Sequence, residues 1–95
     1  MTVMVPVHPG RILKEEMDAR QLSVNQLASA LRVPSGRITS IVNGKRGISA
    51  ETALRLGRYF GNGAQFWLNL QSCYDLAVAE RELGPLIAAE VAEAG

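Results

Sequence analysis

The sequence predicts an all-α fold, a bundle of five helices in one small domain. The chain has 95 residues, enough for one core, and 47% of them are apolar, too many for a disordered chain. Only five are aromatic, so an aliphatic core is expected. Apolar residues recur at helical spacing between Ser, Pro and Gly signals, and no strand pattern competes. Thr2 to Val7 is β-prone but contains Pro6, which suggests a short extended arm.

The first two helices have clear starting signals. Pro9 suits the first turn of a helix that we expect to run to about Arg20. Ser23 is an N-cap, and Gln26 three residues later completes a capping box. Apolar residues then follow at i, i+3, i+4 and i+7, which predicts one buried helix face made of Val24, Leu27, Ala28 and Leu31.

A third and a fourth helix follow on either side of a basic loop. Pro34 and Ser35 begin the third helix, and Asn43-Gly44 ends it. The loop runs from Lys45 to Ile48, and Ser49 caps the fourth helix. The residues expected to share the buried face of that helix are Ala50, Ala53, Leu54 and Gly57.

Glycine signals delimit the last helix. Gly61-Asn62-Gly63 stops the fourth helix, and a fifth is expected from Ala64 to Glu82. Gly84-Pro85 predicts another break. Residues 1–84 would then form the domain and residues 85–95 a C-terminal tail, either a short helix or a frayed end.

The second and third helices have the spacing of a helix-turn-helix. Three residues separate Ser23–Leu31 from Ser35–Asn43, and the small Ala28 allows the helices to cross closely. The outward face of the later helix would present hydrogen-bonding side chains and one cation to the base edges of a major groove: Ser35, Arg37, Thr39 and Ser40. Phosphate contacts are expected from Ser23, Gln26, Asn43, Lys45 and Arg46.

The charge distribution favours a polyanionic partner for the first part of the chain. Up to Phe60 there are nine basic and four acidic residues, and afterwards one basic and five acidic, although the net charge is only +1. Three other interpretations stay open. The charges could be ordinary solvated surface. The helix pair could be an ordinary packing arrangement, because short helix pairs with Ala at the crossing occur in many helical domains. Arg55 could serve only as the i, i+4 partner of Glu51.

Several blocks of sequence resemble the HigA-type antitoxins, a branch of the phage-repressor-like helix-turn-helix family. The resemblance covers about residues 8–82, and its more specific parts are the His-Pro-Gly entry and the Phe-Trp-Leu-Asn-Leu-Gln block. The residues that carry it are His8 to Leu13, Ser23 to Ala28, Ile41 to Ile48, Thr52 to Leu56, Phe66 to Gln71 and Tyr74 to Leu76.

The resemblance implies a repressor-like bundle with a C-terminal dimerisation helix. It also implies a homodimer that binds a palindromic operator in its own promoter and neutralises a cognate HigB-type toxin, typically a ribosome-dependent mRNA endonuclease. This sequence departs from the pattern at two positions. Arg32 stands where such repressors often have a turn glycine, which costs on the order of 1 kcal/mol if the position is left-handed. Gly36 offers no side chain to a base, although the main chain could approach DNA there.

The fifth helix carries a wide apolar stripe that admits two interpretations. Phe66, Leu70, Cys73 and Ala77 lie on one face, with Trp67 and Tyr74 on a neighbouring face. The stripe could be buried against a second copy, with Trp67, Leu70 and Tyr74 as dimer contacts, since Trp and Tyr suit an interface. It could instead complete the core over the other helices, which we favour for Phe66 and Leu70.

Little in the sequence suggests catalysis or a cofactor. His8 is expected to be a helix-entry residue and Cys73 a small buried hydrophobe. One His and one Cys exclude a structural zinc site and an internal disulfide, so we expect no metal, no cofactor and no catalytic residue. No segment is long and apolar enough to span a membrane, and the N-terminus lacks signal-peptide character. A cytoplasmic protein associated with the nucleoid is therefore expected.

Three functions remain at this point. The first is an autoregulatory antitoxin that binds DNA and a toxin, with the acidic second half as a candidate toxin-facing surface. The second is a stand-alone helix-turn-helix repressor without a toxin partner. The third is a helical protein-interaction module without DNA binding, which would leave Arg37, Lys45 and Arg46 unexplained.

Overall fold

The computed structural model of the chain describes residues 6–95, so most of the extended arm expected at Thr2 to Val7 lies outside the described residues. Five helices form the described chain, as predicted, and no strand occurs between residues 6 and 95. In chain order they are α1 (Pro9–Ala19), α2 (Val24–Leu31), α3 (Ser35–Val42), α4 (Ala50–Phe60) and α5 (Ala64–Glu90).

The helix starts follow from local capping. His8 is the N-cap of α1, where its Nδ1 accepts the amide of Gly10 at 2.9 Å, so the expected entry role of His8 is confirmed. At α2 the predicted capping box is present: Ser23 Oγ accepts from Gln26 N, and Gln26 Oε1 accepts from Ser23 N. Ser49 Oγ accepts from Thr52 N at the start of α4.

The core lies between α1, α2, α3, α4 and the first half of α5. Helix α1 meets α3 closely at Gly10, where an added Cβ would lie 1.8 Å from the carbonyl oxygen of Ile41. Only a glycine allows this approach, because it has no Cβ. The C-terminal end of α3 therefore packs directly against the start of α1. The fully buried large side chains include Leu13, Leu27, Ile38, Ile41, Leu56 and Trp67.

Helix α5 continues through the break expected at Gly84-Pro85, so that prediction was wrong. Pro85 lies inside the helix, which ends at Glu90. Proline removes one backbone hydrogen bond and crowds the Cβ of the preceding residue, but Gly84 has no Cβ and the surrounding turns are mostly exposed to water. The boundary proposed at residue 84 therefore falls within a continuous helix.

Four side chains that were expected to be buried are exposed. Phe66 is 40% exposed, whereas Trp67 is fully buried in the core. Cys73 is exposed and not a buried hydrophobe. On α4 the buried apolar face is formed by Ala53, Leu56 and Gly57, whereas Ala50 and Leu54, which were expected on that face, are exposed. In each case the helix is rotated about its axis relative to the expected packing, and neighbouring residues on a helix point about 100° apart.

Candidate DNA-binding surface

Helices α2 and α3 form the predicted helix-turn-helix. Ala28 is buried where they cross, and its carbonyl accepts the amide of Val33 at 3.0 Å. Arg32 adopts φ 60° and ψ 45°, so the turn is left-handed at the position where a glycine would be less strained. Val33 packs against the core, and Ile38 on α3 is fully buried. The turn and the core thus set the orientation of α3.

The outward face of α3 consists of small polar residues. Ile38 and Ile41 face the core, whereas Ser35, Gly36 and Thr39 are exposed. Among the described residues 6–95, no atom lies within 4 Å of the place where a Cβ of Gly36 would be, so this position of the face is open. Such a narrow, uncluttered helix surface fits a major groove.

Two of the residues expected to contact bases also have local structural roles, Thr39 through its side chain and Ser40 through its backbone carbonyl. The Thr39 hydroxyl donates to the carbonyl oxygen of Ser35 at 3.2 Å, which leaves its methyl group and its acceptor capacity for a ligand. Ser40 is half-buried, and its carbonyl accepts the amides of Lys45 at 2.9 Å and Arg46 at 3.2 Å. Ser40 therefore orders the loop that follows α3 as well as bordering the outward face.

Arg37 lies at the edge of the outward face and is directed towards α4. Its side chain is 20% exposed, and its Nη1 lies 3.3 Å from Glu51 Oε1. Its Nε is buried without a hydrogen-bond partner among residues 6–95. The sequence predicted that Arg37 extends outward from α3, the helix expected to contact bases and called the recognition helix below. In the structure its guanidinium is instead paired with Glu51 on α4.

Glu51 is shared between two arginines. The expected i, i+4 pair with Arg55 is present, with Arg55 Nη2 3.1 Å from Glu51 Oε2. Arg55 has a further role, because its Nη1 donates to the carbonyl oxygen of Leu31 at the end of α2. The hydrogen bond from Arg55, followed by the charges of Arg37 and Arg55, lowers the pKa of Glu51 from its ordinary value. This group joins the last turn of α2 to α3 and α4.

The loop between α3 and α4 carries the exposed cations. Asn43 is the C-cap of α3, and Gly44 follows with φ 75°. Lys45 and Arg46 are exposed and form no ion pair with any residue between 6 and 95. Unpaired, solvated cations next to a helix-turn-helix are suited to neutralise phosphates.

The loop is attached to α5 by a residue to which sequence reasoning assigned no role. Gln71 Oε1 accepts the amide of Ile48 at 2.7 Å, and Gln71 Nε2 donates to Asp75 Oδ1 at 2.9 Å. The only sequence signal for Gln71 was its place in the block from Phe66 to Gln71. Its contact spans 23 residues along the chain, which no local pattern predicts.

The start of α2 keeps part of its donor capacity for a ligand. In the capping box Gln26 uses Oε1 and Ser23 accepts with Oγ, and both residues are exposed. The Gln26 amide N–H₂ donates no hydrogen bond to residues 6–95. Exposed donors at a helix N-terminus can contact an anion.

The three residues expected at a dimer interface lie in different environments. Trp67 is fully buried, and its indole N–H donates to Asn62 Oδ1 at 2.9 Å, so the polar end of the ring has its partner within the chain itself. A side chain with no exposed surface cannot contact another protomer, which corrects the prediction for Trp67. Leu70 and Tyr74 are half-buried beside α1, where the Tyr74 ring makes an edge contact with His8.

The distal half of α5 exposes an apolar stripe. Leu76 and Leu83 are seven residues apart and are 59% and 46% exposed. Leu86, Ile87 and Val91 continue the exposed apolar surface, and the molecule is elongated, with extents of 51 × 23 × 21 Å.

The described residues hold neither a cluster of metal ligands nor a membrane-spanning helix. Residues 6–95 contain no group of three His, Cys, Asp or Glu side chains that could hold a metal ion. None of the helices in this part of the chain has the length and apolar character needed to cross a bilayer.

The fold and this surface define the class of helix-turn-helix DNA-binding proteins. The helix-turn-helix family model matches residues 13–67. The chain is similar to virulence-associated protein I of Dichelobacter nodosus, with 54% identity over 80 residues that cover 83% of this chain and 74% of the relative.

Solved structures narrow the family further. An addiction module antidote protein of the HigA family from Coxiella burnetii superposes with a TM-score of 0.91 and 48% identity, covering 95% of this chain and 99% of that one. The antitoxin HigA of Pseudomonas aeruginosa, solved with the higBA promoter, superposes with a TM-score of 0.93 and 46% identity, covering 96% of this chain and 100% of that one. The chain therefore belongs to the helix-turn-helix family and, within it, to the HigA-type antitoxins.

Proposed function

We propose that this protein is a DNA-binding antitoxin that represses its own operon and neutralises a cognate HigB-type toxin, an mRNA endonuclease. The observation that carries the proposal is the open, small-residue face of α3 next to the exposed cations Lys45 and Arg46, which form no ion pair with the described residues 6–95. The similarity of this chain to HigA of Pseudomonas aeruginosa, which was solved with promoter DNA, supports DNA as a partner of this chain too.

In this proposal α3 lies in the major groove and contacts bases through Ser35, Thr39 and Ser40, with the Gly36 main chain close to the groove floor. Arg37 joins them when its guanidinium leaves the Glu51 carboxylate and donates instead to hydrogen-bond acceptors on a base edge. The phosphate contacts come from Ser23, Gln26, Asn43, Lys45 and Arg46, which lie at the start of α2 and in the loop after α3.

The proposed assembly is a homodimer on a palindromic operator. Two copies joined through α5 would place their recognition helices about one DNA turn apart, roughly 34 Å. Leu70 and Tyr74 remain proposed contacts, and the exposed stripe of Leu76, Leu83 and Ile87 supplies the apolar area that the buried Trp67 does not.

The toxin-binding surface is proposed on the acidic part of the chain after Phe60, which has one basic and five acidic residues. A basic toxin would be complementary to it. We propose no enzymatic activity and no cofactor, and a cytoplasmic location at the nucleoid, where the DNA partner resides.

Footprinting on the DNA upstream of its own gene tests the regulatory part. A protected palindrome is expected, and protection of no sequence would contradict DNA binding and favour an interaction module. Co-expression with the neighbouring open reading frame tests the antitoxin part. Rescue from a toxic product is expected; a footprint without any toxic neighbour would identify a stand-alone repressor.

A further inference from the structure

The phosphate-facing loop is held at both ends, and each end is attached to a different helix. At its start the amides of Lys45 and Arg46 donate to the Ser40 carbonyl on α3. At its end the amide of Ile48 donates to Gln71 Oε1 on α5, at 2.7 Å. The two cations therefore lie between an anchor on the recognition helix and an anchor on the C-terminal helix.

A second observation shows how closely the loop follows Gln71. A Cβ on Gly47 would lie 2.9 Å from Gln71 Oε1 and 3.1 Å from Nε2, so a larger residue at position 47 would have to displace the glutamine side chain. The absence of that Cβ lets the backbone between Arg46 and Ile48 approach the amide group of Gln71.

The orientation of the Gln71 side chain is also determined. Its Nε2 donates to Asp75 Oδ1, one helical turn further along α5, so its oxygen is directed to Ile48. Both polar atoms of the amide have a partner, and an exchange of the two would place like groups together at both contacts.

We propose that Gln71 is a positioning residue for DNA binding: it holds the Lys45–Arg46 loop against α5 so that both cations reach the phosphate backbone. The inference rests on the proposed DNA-binding function. Because Gln71 lies on the helix proposed to form the dimer, it also connects that helix directly to the phosphate-contacting loop.

The test compares Gln71→Met with Gln65→Met. Methionine keeps a similar length but cannot accept the Ile48 amide. Gln65 is the matched control, because it also donates to a side chain one turn along α5, Asn69, and has no contact with the loop. Binding to the operator and to random DNA of equal length is measured over a range of salt concentrations, and thermal melting shows that each variant is folded.

Gln71→Met is expected to bind both DNAs about threefold to tenfold more weakly, with a salt slope shallower by about one unit, whereas Gln65→Met binds like the unchanged protein. An unchanged salt slope in folded Gln71→Met would overturn the proposal. If the unchanged protein itself bound no DNA, the proposed function would fail before this comparison is reached.

A double-mutant cycle separates positioning from a general structural effect. In a chain carrying Lys45→Ala and Arg46→Ala, Gln71→Met should have no further effect on the salt slope, because the cations it positions are gone. Additive effects would contradict the proposal. Asp75→Ala is a second variant at an exposed position. It keeps Gln71 Oε1 as the acceptor for the Ile48 amide but removes the contact that orients the Gln71 side chain, so it should make the salt slope shallower by less than Gln71→Met does.

Discussion

Arg37 Nη1 lies 3.3 Å from Glu51 Oε1, so the cation of the recognition helix is tied to α4. Arg55 shares the same carboxylate and also donates to the Leu31 carbonyl at the end of α2. Glu51 and Arg55 together thus connect α2, α3 and α4 around the DNA-binding surface. The two arginines exceed the single carboxylate in charge, so the group retains a positive charge for an approaching polyanion.

Replacement of Glu51 by Gln should make stability less dependent on acid pH. The pKa of Glu51 is lowered in the folded protein, mainly by the hydrogen bond from Arg55, so ionised Glu51 favours the folded state above its ordinary pKa of 4.5. That contribution is lost as the pH falls below this value and the carboxylate becomes protonated. Melting temperatures at pH 6 and pH 3 should therefore differ less in Glu51→Gln than in the unchanged protein. Glu15→Gln is the control, since Glu15 forms no ion pair with residues 6–95, and it should keep the original pH dependence.

Arg37→Ala should discriminate between base contact and a purely structural role. If Arg37 leaves Glu51 to contact a base, the variant loses about 1–3 kcal/mol on the operator and much less on random DNA. Titrations on both DNAs measure this difference. An equal loss on the two DNAs would assign Arg37 to orienting α3 through Glu51 and would remove it from the base contacts.

Lys45→Ala should weaken binding to every DNA sequence and reduce the salt slope by about one unit, because one phosphate contact is lost. Arg81→Ala removes an exposed cation from the distal half of α5, away from the proposed surface, and should leave the slope unchanged. Similar slopes for the two variants would mean that the loop after α3 does not contact phosphates.

Gly36→Ala should stabilise the protein and at the same time weaken operator binding. An added methyl group meets no atom of residues 6–95 within 4 Å, and alanine favours a helix over glycine by about 0.5–1 kcal/mol. The same methyl group would project from the proposed groove-facing surface. Melting and gel-shift titrations on one preparation measure both effects.

The contrasting variant is Gly10→Ala, whose methyl group would lie 1.8 Å from the Ile41 carbonyl oxygen and should destabilise the fold by about 1–3 kcal/mol or more. Operator binding by Gly36→Ala at unchanged strength would move the recognition surface elsewhere.

Leu83→Glu should convert the proposed dimer into monomers while the monomer stays folded, because the side chain is 46% exposed on the distal stripe of α5. Trp67→Ala should instead lower the free energy of unfolding by about 3–5 kcal/mol, since it removes a fully buried core side chain. Sedimentation distinguishes the two. A dimer that survives Leu83→Glu would place the interface away from this stripe.

The sequence by itself determined the number of helices, most of their ends and the helix-turn-helix. These features depend on local chemistry: the capping box of Ser23 and Gln26, the Ser49 cap and the glycines after α3 and α4 act over a few residues. The position of Lys45 and Arg46 in an exposed loop after the third helix could also be predicted from the sequence.

Only the tertiary structure decided how each helix is rotated about its axis and which distant groups meet. That rotation buries Trp67, whose indole N–H donates to Asn62 Oδ1, and leaves the neighbouring Phe66 exposed. The contacts of Arg37 with Glu51 and of Gln71 with Ile48 join residues 14 and 23 positions apart. Such pairs depend on how the helices pack in three dimensions, which periodicity along the chain does not encode.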